Sequence, residues 1–176
     1  MVVDFGAKEK PWRNIDDVVM GGVSRSQFTV KDGVGIFEGN VSLENNGGFA
    51  SARSEPRDVD LRGYTGLILR VRGDGKRYGL RLRTRADFDG VSYQAPLPTK
   101  AGEWQEVRIP FADFKPVFRG QVVRGAPALD LENIKTFGFI ISDKQEGPFK
   151  LEVKWVKAYA PVSQKDTASD AAPKTD

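Results

Sequence analysis

The residue types best suited to chemistry stand together near the start of the chain, in the segment Asp16-Asp17-Val18-Val19-Met20-Gly21-Gly22-Val23-Ser24. Two adjacent carboxylates resist burial unless they are paired, and a Gly-Gly step gives up side-chain packing. Glycoside hydrolysis uses two acids about 5 to 10 Å apart across a sugar. Neighbouring strand residues point to opposite faces, so Asp16 and Asp17 are poorly placed to act together. Two other interpretations stay open: stabilisation of a turn, by capping backbone amides or pairing with Arg25 or Arg53, and a binding surface.

The composition narrows the chemistry, because the 176 residues include no histidine and no cysteine. That absence excludes zinc sites built on these residues, Ser-His-Asp triads, thiol nucleophiles, disulfides and iron–sulfur clusters. We therefore predict no catalytic residues and no cofactor or metal, with an oxygen-ligand calcium site left open.

Basic residues follow two predicted strands, Leu67 to Arg72 and Tyr78 to Arg85, which are interpreted as a hairpin across Gly73-Asp74-Gly75. One face of this hairpin is apolar at period two, and the other carries the arginines. The arginines are Arg70, Arg72, Arg81, Arg83 and Arg85. Like charges on paired strands repel, so they need acidic neighbours, solvent or an anionic ligand. The alternatives are a solvated face with Glu106 or Glu152, and a basic stripe for an acidic partner. Nucleic acid is disfavoured because exposed aromatic residues do not interleave with the arginines.

A second Gly-Gly segment, Asn45 to Arg53, is interpreted either as a loop entering a strand or as a loop whose bare backbone approaches a ligand beside Phe49. Trp104 and Trp155 fall in alternating strands and are expected to pack. Trp12 lies in irregular sequence and is the tryptophan we allow at a surface site.

Short alternating runs between turn signals predict the elements that position these residues. Ser26–Val30 and Ile36–Gly39 form a hairpin across Lys31-Asp32-Gly33. Helix is predicted only as single turns, at Phe111–Phe114 and Leu129–Ile134. Many short strands with Gly-rich turns favour an antiparallel sandwich or barrel. We predict one domain over 1–160 and a disordered tail over 161–176, which lacks aromatic residues.

Net charge is +3, hydrophobic content 39% and charged content 29%, which indicates a globular chain. No apolar run is long enough to span a bilayer, and the first residues resemble neither a signal peptide nor a transit peptide. We predict a cytoplasmic location, with the periphery of a membrane complex included.

Taken together in this order, several motifs resemble the complex I intermediate-associated protein 30 family from about Val3 to Ala160. The motifs are Trp12, Asn14, the Asp16–Ser24 segment, Gly47–Ser51, Arg53, Arg72–Gly75, Tyr78, Trp104, Ile109–Phe111, Phe114, Arg119-Gly120 and Ser142–Phe149. The resemblance implies an all-β, galactose-binding-domain-like jelly-roll β-sandwich. It also implies a non-catalytic assembly factor, or chaperone, for respiratory complex I.

The predicted function is accordingly a non-catalytic protein-binding module whose partner is a subunit or intermediate of a membrane-associated redox complex. The alternative is a carbohydrate-binding module for a small glycan, with Trp12, Phe49 and Tyr93 as stacking platforms. No nucleic acid is expected as a partner. The candidate binding residues are Trp12, Asp16, Asp17, Met20, Gly21, Gly22, Ser24, Phe49, Arg53, Arg81, Arg83 and Tyr93.

Overall fold

The computed structural model describes residues 1–7, 9–85 and 90–161, which form thirteen strands and three short 3-10 helices. The strands are β1 (Val3–Asp4), β2 (Arg13–Asn14), β3 (Arg25–Lys31), β4 (Val34–Val41), β5 (Ala50–Arg53), β6 (Gly66–Arg72), β7 (Arg77–Arg83), β8 (Ser92–Pro98), β9 (Trp104–Pro110), β10 (Lys115–Phe118), β11 (Gln121–Val122), β12 (Thr136–Ile141) and β13 (Gly147–Tyr159). The 3-10 helices are Asp17–Met20, Glu44–Asn46 and Phe111–Asp113.

The strands form two antiparallel sheets. The first sheet has the order β3-β4-β13-β6-β9, with β1 also paired with β13, and the second has the order β11-β10-β8-β7-β12-β5-β2. Their inner faces are apolar and meet in one core, because side chains alternate between the faces of a strand. The predicted all-β jelly-roll sandwich is therefore confirmed.

The core contains the predicted apolar face of β6 and β7. Leu67, Leu69 and Val71 on β6 and Leu80 and Leu82 on β7 are fully buried. Burying a side chain of this size contributes about 1.5 to 3 kcal/mol, so this alternation fixes which face of each strand points inward.

The predicted hairpin between β6 and β7 is wrong. Strand β6 pairs with β13 and β9, whereas β7 pairs with β8 and β12, so the connection crosses from one sheet to the other. Asp74 holds this crossing: its carboxylate accepts hydrogen bonds from Tyr78 Oη at 3.0 Å and from the Lys150 amide at 2.9 Å. Strands of both sheets alternate between apolar and polar residues. The sequence pattern of two successive strands is therefore the same whether they pair in a hairpin or belong to different sheets.

The remaining local predictions have different outcomes. The β3–β4 hairpin is confirmed, and Asp32 (φ 53°) and Gly33 (φ 77°) both adopt the left-handed conformation that a tight hairpin turn requires. The 3-10 helix at Phe111–Asp113 matches the first predicted single turn. The second, at Leu129–Ile134, is a plain turn closed by a hydrogen bond from the Asn133 amide to the Asp130 carbonyl at 3.2 Å. The predicted tail falls outside the described residues from 162 onward.

Trp12 is a core residue rather than a surface residue. Its side chain is buried, and its ring stacks between Phe28 and Phe139 at centroid distances of 4.9 and 5.4 Å. Stacked aromatic rings of this kind stabilise beyond their buried area. Trp12 therefore closes the sandwich between a strand of each sheet.

Candidate functional site

A groove of about 580 Å³ lies on the outer face of the second sheet. Strands β5, β12, β7 and β8 form its floor. The β10–β11 hairpin lines one edge, and Ile15 and Phe49 line the opposite edge. The lining residues are Ile15, Phe49, Ser51, Arg53, Arg81, Arg83, Gly90, Ser92, Gln94, Val117, Arg119, Gly120, Val122, Ile140, Ser142 and Asp143.

Two glycines on the outer face keep the floor of the groove low. A Cβ on Gly79 would lie 2.9 Å from both the Gln94 and Ile140 side chains. Gly138 pairs with Arg53 on one side and with Arg81 on the other. Because neighbouring strands lie about 4.8 Å apart, the two arginine backbones stand about 10 Å apart across a position with no side chain.

Arg81 is the half-buried cation of this floor. Its Nε donates a hydrogen bond to Gln94 Oε1 at 2.8 Å. Burial, together with the neighbouring charge of Arg83, lowers the pKa of Arg81 to about 10. Arg81 is still charged at neutral pH, and burial makes that charge costly. An anionic ligand in the groove would offset this cost.

The aspartate segment lies beside the groove and supports its edge. Asp17 is fully buried at the start of the 3-10 helix Asp17–Met20. Its Oδ1 accepts from the Ser24 amide at 2.9 Å, and its Oδ2 accepts from Ser24 Oγ at 2.5 Å and from the Gly48 and Phe49 amides at 2.7 and 3.3 Å. A single carboxylate therefore joins the segment of residues 16–24, here the aspartate loop, to the loop of residues 47–49 before β5, here the phenylalanine loop.

Burial alone would raise the pKa of Asp17, but the hydrogen bonds from Ser24, Gly48 and Phe49 outweigh it and lower the pKa below the usual 3.8. Asp16 shows the opposite balance. Burial is the largest influence and raises its pKa, despite hydrogen bonds from Ser26 Oγ at 2.6 Å and from the Ser51 amide at 3.2 Å. The two carboxylates bind separate partners, and the capping of backbone amides is the role that the structure shows for both.

Two glycines around Asp17 are required by its packing. A Cβ on Gly22 or on Gly47 would lie 2.5 Å from the Asp17 carboxylate. Gly21 differs, because a Cβ at this position would have no other atom within 4 Å. Glycine is favoured there by its left-handed φ of 87° instead. The Gly-Gly step thus combines a conformational requirement with a steric one.

The candidate residues from the sequence fall into three groups. Phe49, Arg53, Arg81 and Arg83 lie together in the groove. Asp16, Asp17, Gly21, Gly22 and Ser24 form the support beside it, and the placement of the Met20 side chain lies outside the described part of the structure. Trp12 and Tyr93 are buried, so neither offers a ring to a ligand. The Tyr93 ring packs inward, and its Oη donates to the Pro127 carbonyl at 2.7 Å.

The sequence interpretation missed the polar and apolar partners of the arginines. Ser92 and Gln94 on β8, Ile140 on β12 and Val117 and Val122 on the β10–β11 hairpin all line the groove. The alternation of β8 marks Ser92 and Gln94 as outward-facing. Nothing local shows that their strand lies beside β7.

The predicted arginine stripe is divided between two opposite faces of the molecule. Arg70 and Arg72 lie on the outer face of the first sheet, where they pair with Glu106 at 3.7 Å and with Glu152 at 2.8 Å. This half is the solvated face that the sequence allowed as an alternative. Arg81 and Arg83 lie in the groove on the second sheet.

Within residues 1–7, 9–85 and 90–161, no group of three or more histidine, cysteine, aspartate or glutamate side chains is placed to hold a metal ion. None of the helices in those ranges has the length and apolar character needed to cross a membrane.

Two antiparallel sheets packed face to face, with a groove on one outer face, define the class of this protein as a jelly-roll β-sandwich domain. The sequence identifies the family: residues 3–153 match the complex I intermediate-associated protein 30 family, and the chain belongs to it. The resemblance inferred from the motifs is confirmed.

Two curated relatives show the extent of the similarity. The probable complex I intermediate-associated protein 30, mitochondrial, of Caenorhabditis briggsae is 30% identical over 146 residues, which cover 72% of this chain and 43% of that protein. The mouse protein named complex I intermediate-associated protein 30, mitochondrial, is 34% identical over 119 residues, covering 65% of this chain and 36% of that protein. The chain thus matches less than half the length of these relatives.

These names overturn one prediction. The predicted cytoplasmic location is wrong, because the relatives from nematode and mouse are named mitochondrial proteins.

Solved structures show the same fold at low sequence identity. The family 11 carbohydrate-binding module of the cellulase Lic26A-Cel5E of Clostridium thermocellum superposes with a TM-score of 0.73 at 16% identity, covering 93% of this chain and 95% of that chain. A structure of the family 11 module from the same organism in complex with a β-1,3-1,4-mixed-linked tetrasaccharide gives a TM-score of 0.68 at 16% identity, covering 89% and 93%. At this identity the comparison establishes the fold alone.

Proposed function

We propose that this chain is a non-catalytic protein-binding module that takes part in the assembly of respiratory complex I, and that its partner docks in the groove of the second sheet. The family supports the assembly role, since its named members are complex I intermediate-associated proteins. A mitochondrial location, as the relatives' names give it, is part of this proposal.

The composition of the groove is the observation that carries the proposal. Arginines 53, 81, 83 and 119 stand among apolar groups at both edges, with Phe49 on one side and Val117 and Val122 on the other. Val122 is 64% exposed and the adjacent Phe118 37% exposed. Arginine and aromatic residues beside exposed apolar groups are the typical composition of the energetically important part of a protein interface.

A capture experiment tests this proposal. We expect the tagged chain to retain specific proteins from solubilised mitochondria of the source organism, and the double variant Arg81→Glu/Arg83→Glu to retain less than about one tenth as much, because it reverses the charge of the groove floor. Quantitative mass spectrometry of the retained proteins is the measurement.

The matched control is Arg108→Glu/Lys154→Glu, which makes the same charge change at exposed positions on the outer face of the first sheet. Capture by this control should match the parent chain. Thermal melts must show that each variant is folded, and Arg81→Gln/Arg83→Gln replaces the glutamate pair if that pair fails to fold. Equal loss in groove and control variants, or no enriched protein at all, would contradict the proposal.

A carbohydrate-binding module is the second candidate, because solved structures with this fold are carbohydrate-binding modules. Such modules bind sugars by stacking them on exposed aromatic rings. Of the three predicted platforms, Trp12 and Tyr93 are buried and Phe49 alone lines the groove. One ring in a cationic groove favours a protein partner over a neutral glycan.

Calorimetric titration separates the two candidates. With a β-1,3-1,4-mixed-linked tetrasaccharide we expect no heat of binding up to millimolar sugar. Submillimolar binding by the parent chain that disappears in Phe49→Ala would instead establish the carbohydrate-binding module. The same titration with Tyr64→Ala, a ring that is 45% exposed and absent from the groove lining, controls for nonspecific effects.

A further inference from the structure

The register of the second sheet places four cations in one line across its outer face, and two of them, Arg53 and Arg81, line the groove. Successive strand pairings connect Arg13 on β2, Arg53 on β5, Gly138 on β12, Arg81 on β7, Gln94 on β8 and Lys115 on β10. We call these six residues the arginine row. Directly paired positions project from the same face of a sheet, so the cationic side chains of the row share the outer face.

No carboxylate belongs to the row, although antiparallel sheets normally set opposite charges across from one another. Arg53 and Arg13 face each other directly, and Arg81 is followed along β7 by Arg83 on the same face. Asp143 is the one carboxylate among the described lining residues, and it lies past the end of β12 rather than in the row. The six residues of the row therefore include four cationic side chains and no anionic one.

The centre of the row is open. Between Arg53 and Arg81 a small hollow of about 10 Å³ lies over Gly138, with Ser51 and Thr136 also in its wall. That volume accommodates about one water-sized atom, such as a carboxylate oxygen. The planar guanidinium groups on both sides are suited to binding a carboxylate through paired hydrogen bonds.

We infer that the arginine row binds an extended acidic segment of a protein partner, with one carboxylate seated over Gly138 between Arg53 and Arg81. This inference rests on the proposed function, whose docking site it specifies. The six strands span about 24 Å at about 4.8 Å between strands, a distance that an extended peptide covers in about seven residues.

The shape of the site favours a peptide over other anions. A single phosphate group would contact only one pair of cations, whereas carboxylates repeated along a segment reach the whole row. A flat lipid surface cannot reach Arg81, which is half-buried on the floor between the β10–β11 hairpin and the phenylalanine loop. Gln94 holds Arg81 in place at 2.8 Å, and Arg53 and Arg83 each make further interactions within the protein. The hydrogen bond from Arg81 to Gln94 orders the central cation before a ligand arrives, which lowers the entropic cost of binding.

Fluorescence anisotropy with a labelled octaglutamate peptide and the full chain tests the inference. We expect octaglutamate to bind and an octaglutamine peptide of the same length not to bind. Arg81→Gln should weaken octaglutamate binding at least about tenfold, because it removes the central cation. Arg108→Gln, which removes one positive charge from the other sheet, should change binding less than about twofold.

Arg53→Gln serves as the second groove variant and should show a similar loss, so that a folding defect in one variant does not decide the result. Three results would overturn the inference: no binding of octaglutamate at low salt, equal weakening by Arg108→Gln, or complete competition by millimolar inorganic phosphate. Binding to anionic lipid vesicles that depends on Arg81 would also overturn it in favour of a membrane surface.

Mitochondrial capture that depends on the groove, without octaglutamate binding, would remove this inference and leave the proposed function intact. Octaglutamate binding without captured proteins would support the acidic-segment site and contradict the proposed function.

Discussion

Replacing Asp17 with asparagine should lower the free energy of unfolding by about 3 kcal/mol, the cost of leaving buried donors without an acceptor. The carboxylate accepts four hydrogen bonds from Ser24, Gly48 and Phe49. An asparagine side chain has the same shape, but one of its two terminal atoms is an NH2 group, which donates hydrogen bonds instead of accepting them. Both oxygens of Asp17 accept from backbone N–H groups, so the NH2 group would face an N–H donor in either orientation of the amide. Urea denaturation followed by tryptophan fluorescence measures the change.

Asp16→Asn is the matched control for this substitution. Asp16 is partly buried and its pKa is raised, so its charge is disfavoured in the folded protein. A neutral amide still accepts hydrogen bonds from Ser26 Oγ and the Ser51 amide, so we expect a change within about 1 kcal/mol. If Asp17→Asn and Asp16→Asn had equal effects, the distinction drawn between the two carboxylates would be wrong.

The effect of Asp17→Asn should also depend on pH. Because the pKa of Asp17 is lowered below its usual 3.8, the stability it contributes is present above about pH 4 and is lost as the pH falls through the lowered pKa. The difference between the parent chain and Asp17→Asn should therefore shrink in acid. A difference that stays constant down to pH 2 would show that the charged carboxylate is not the stabilising species.

The second large effect is expected from Gly22→Ala, which should lower the free energy of unfolding by about 3 kcal/mol, at the upper end of the range for overpacking. The added methyl group would lie 2.5 Å from the Asp17 carboxylate and displace it from its donors. Because the two substitutions damage the same network, Gly22→Ala and Asp17→Asn combined should cost clearly less than the sum of their separate effects.

Gly21→Asn is the control at the adjacent position. Gly21 has open space around its Cα and a left-handed φ of 87°, a conformation that asparagine tolerates. We expect a loss of about 1 kcal/mol or less. A cost at Gly21 equal to that at Gly22 would mean that backbone conformation, rather than contact with Asp17, sets the requirement for both glycines.

Much of the fold follows from local pattern. Alternation identifies the inward faces of β6 and β7, and Lys31-Asp32-Gly33 identifies a hairpin turn because two residues there need a positive φ. The switch between sheets at Asp74 was not predictable in this way. It depends on Tyr78 and Lys150, and Lys150 is distant in sequence. Because of this switch, Arg70 and Arg72 occupy one surface of the molecule, and Arg81 and Arg83 occupy another.

The candidate site was predictable only in part, for a similar reason. Arg53, Arg81 and Phe49 are individually conspicuous, but strands β5, β12, β7 and β8 bring them together through pairings across long stretches of chain. Gly22 and Gly47 indicated a backbone constraint without indicating its source. Only the three-dimensional contacts show that Asp17 is the group they surround.

The pairing of β1 with β13 has a practical consequence for studying this protein on surfaces. Val3 and Val156 are direct partners in the first sheet, and the groove opens on the outer face of the second. A linker attached near β1 or near the end of β13 therefore starts from the first sheet, away from the groove. Immobilised through such a linker on a biosensor chip, the molecule would present its arginines to the solution, whichever end is tethered.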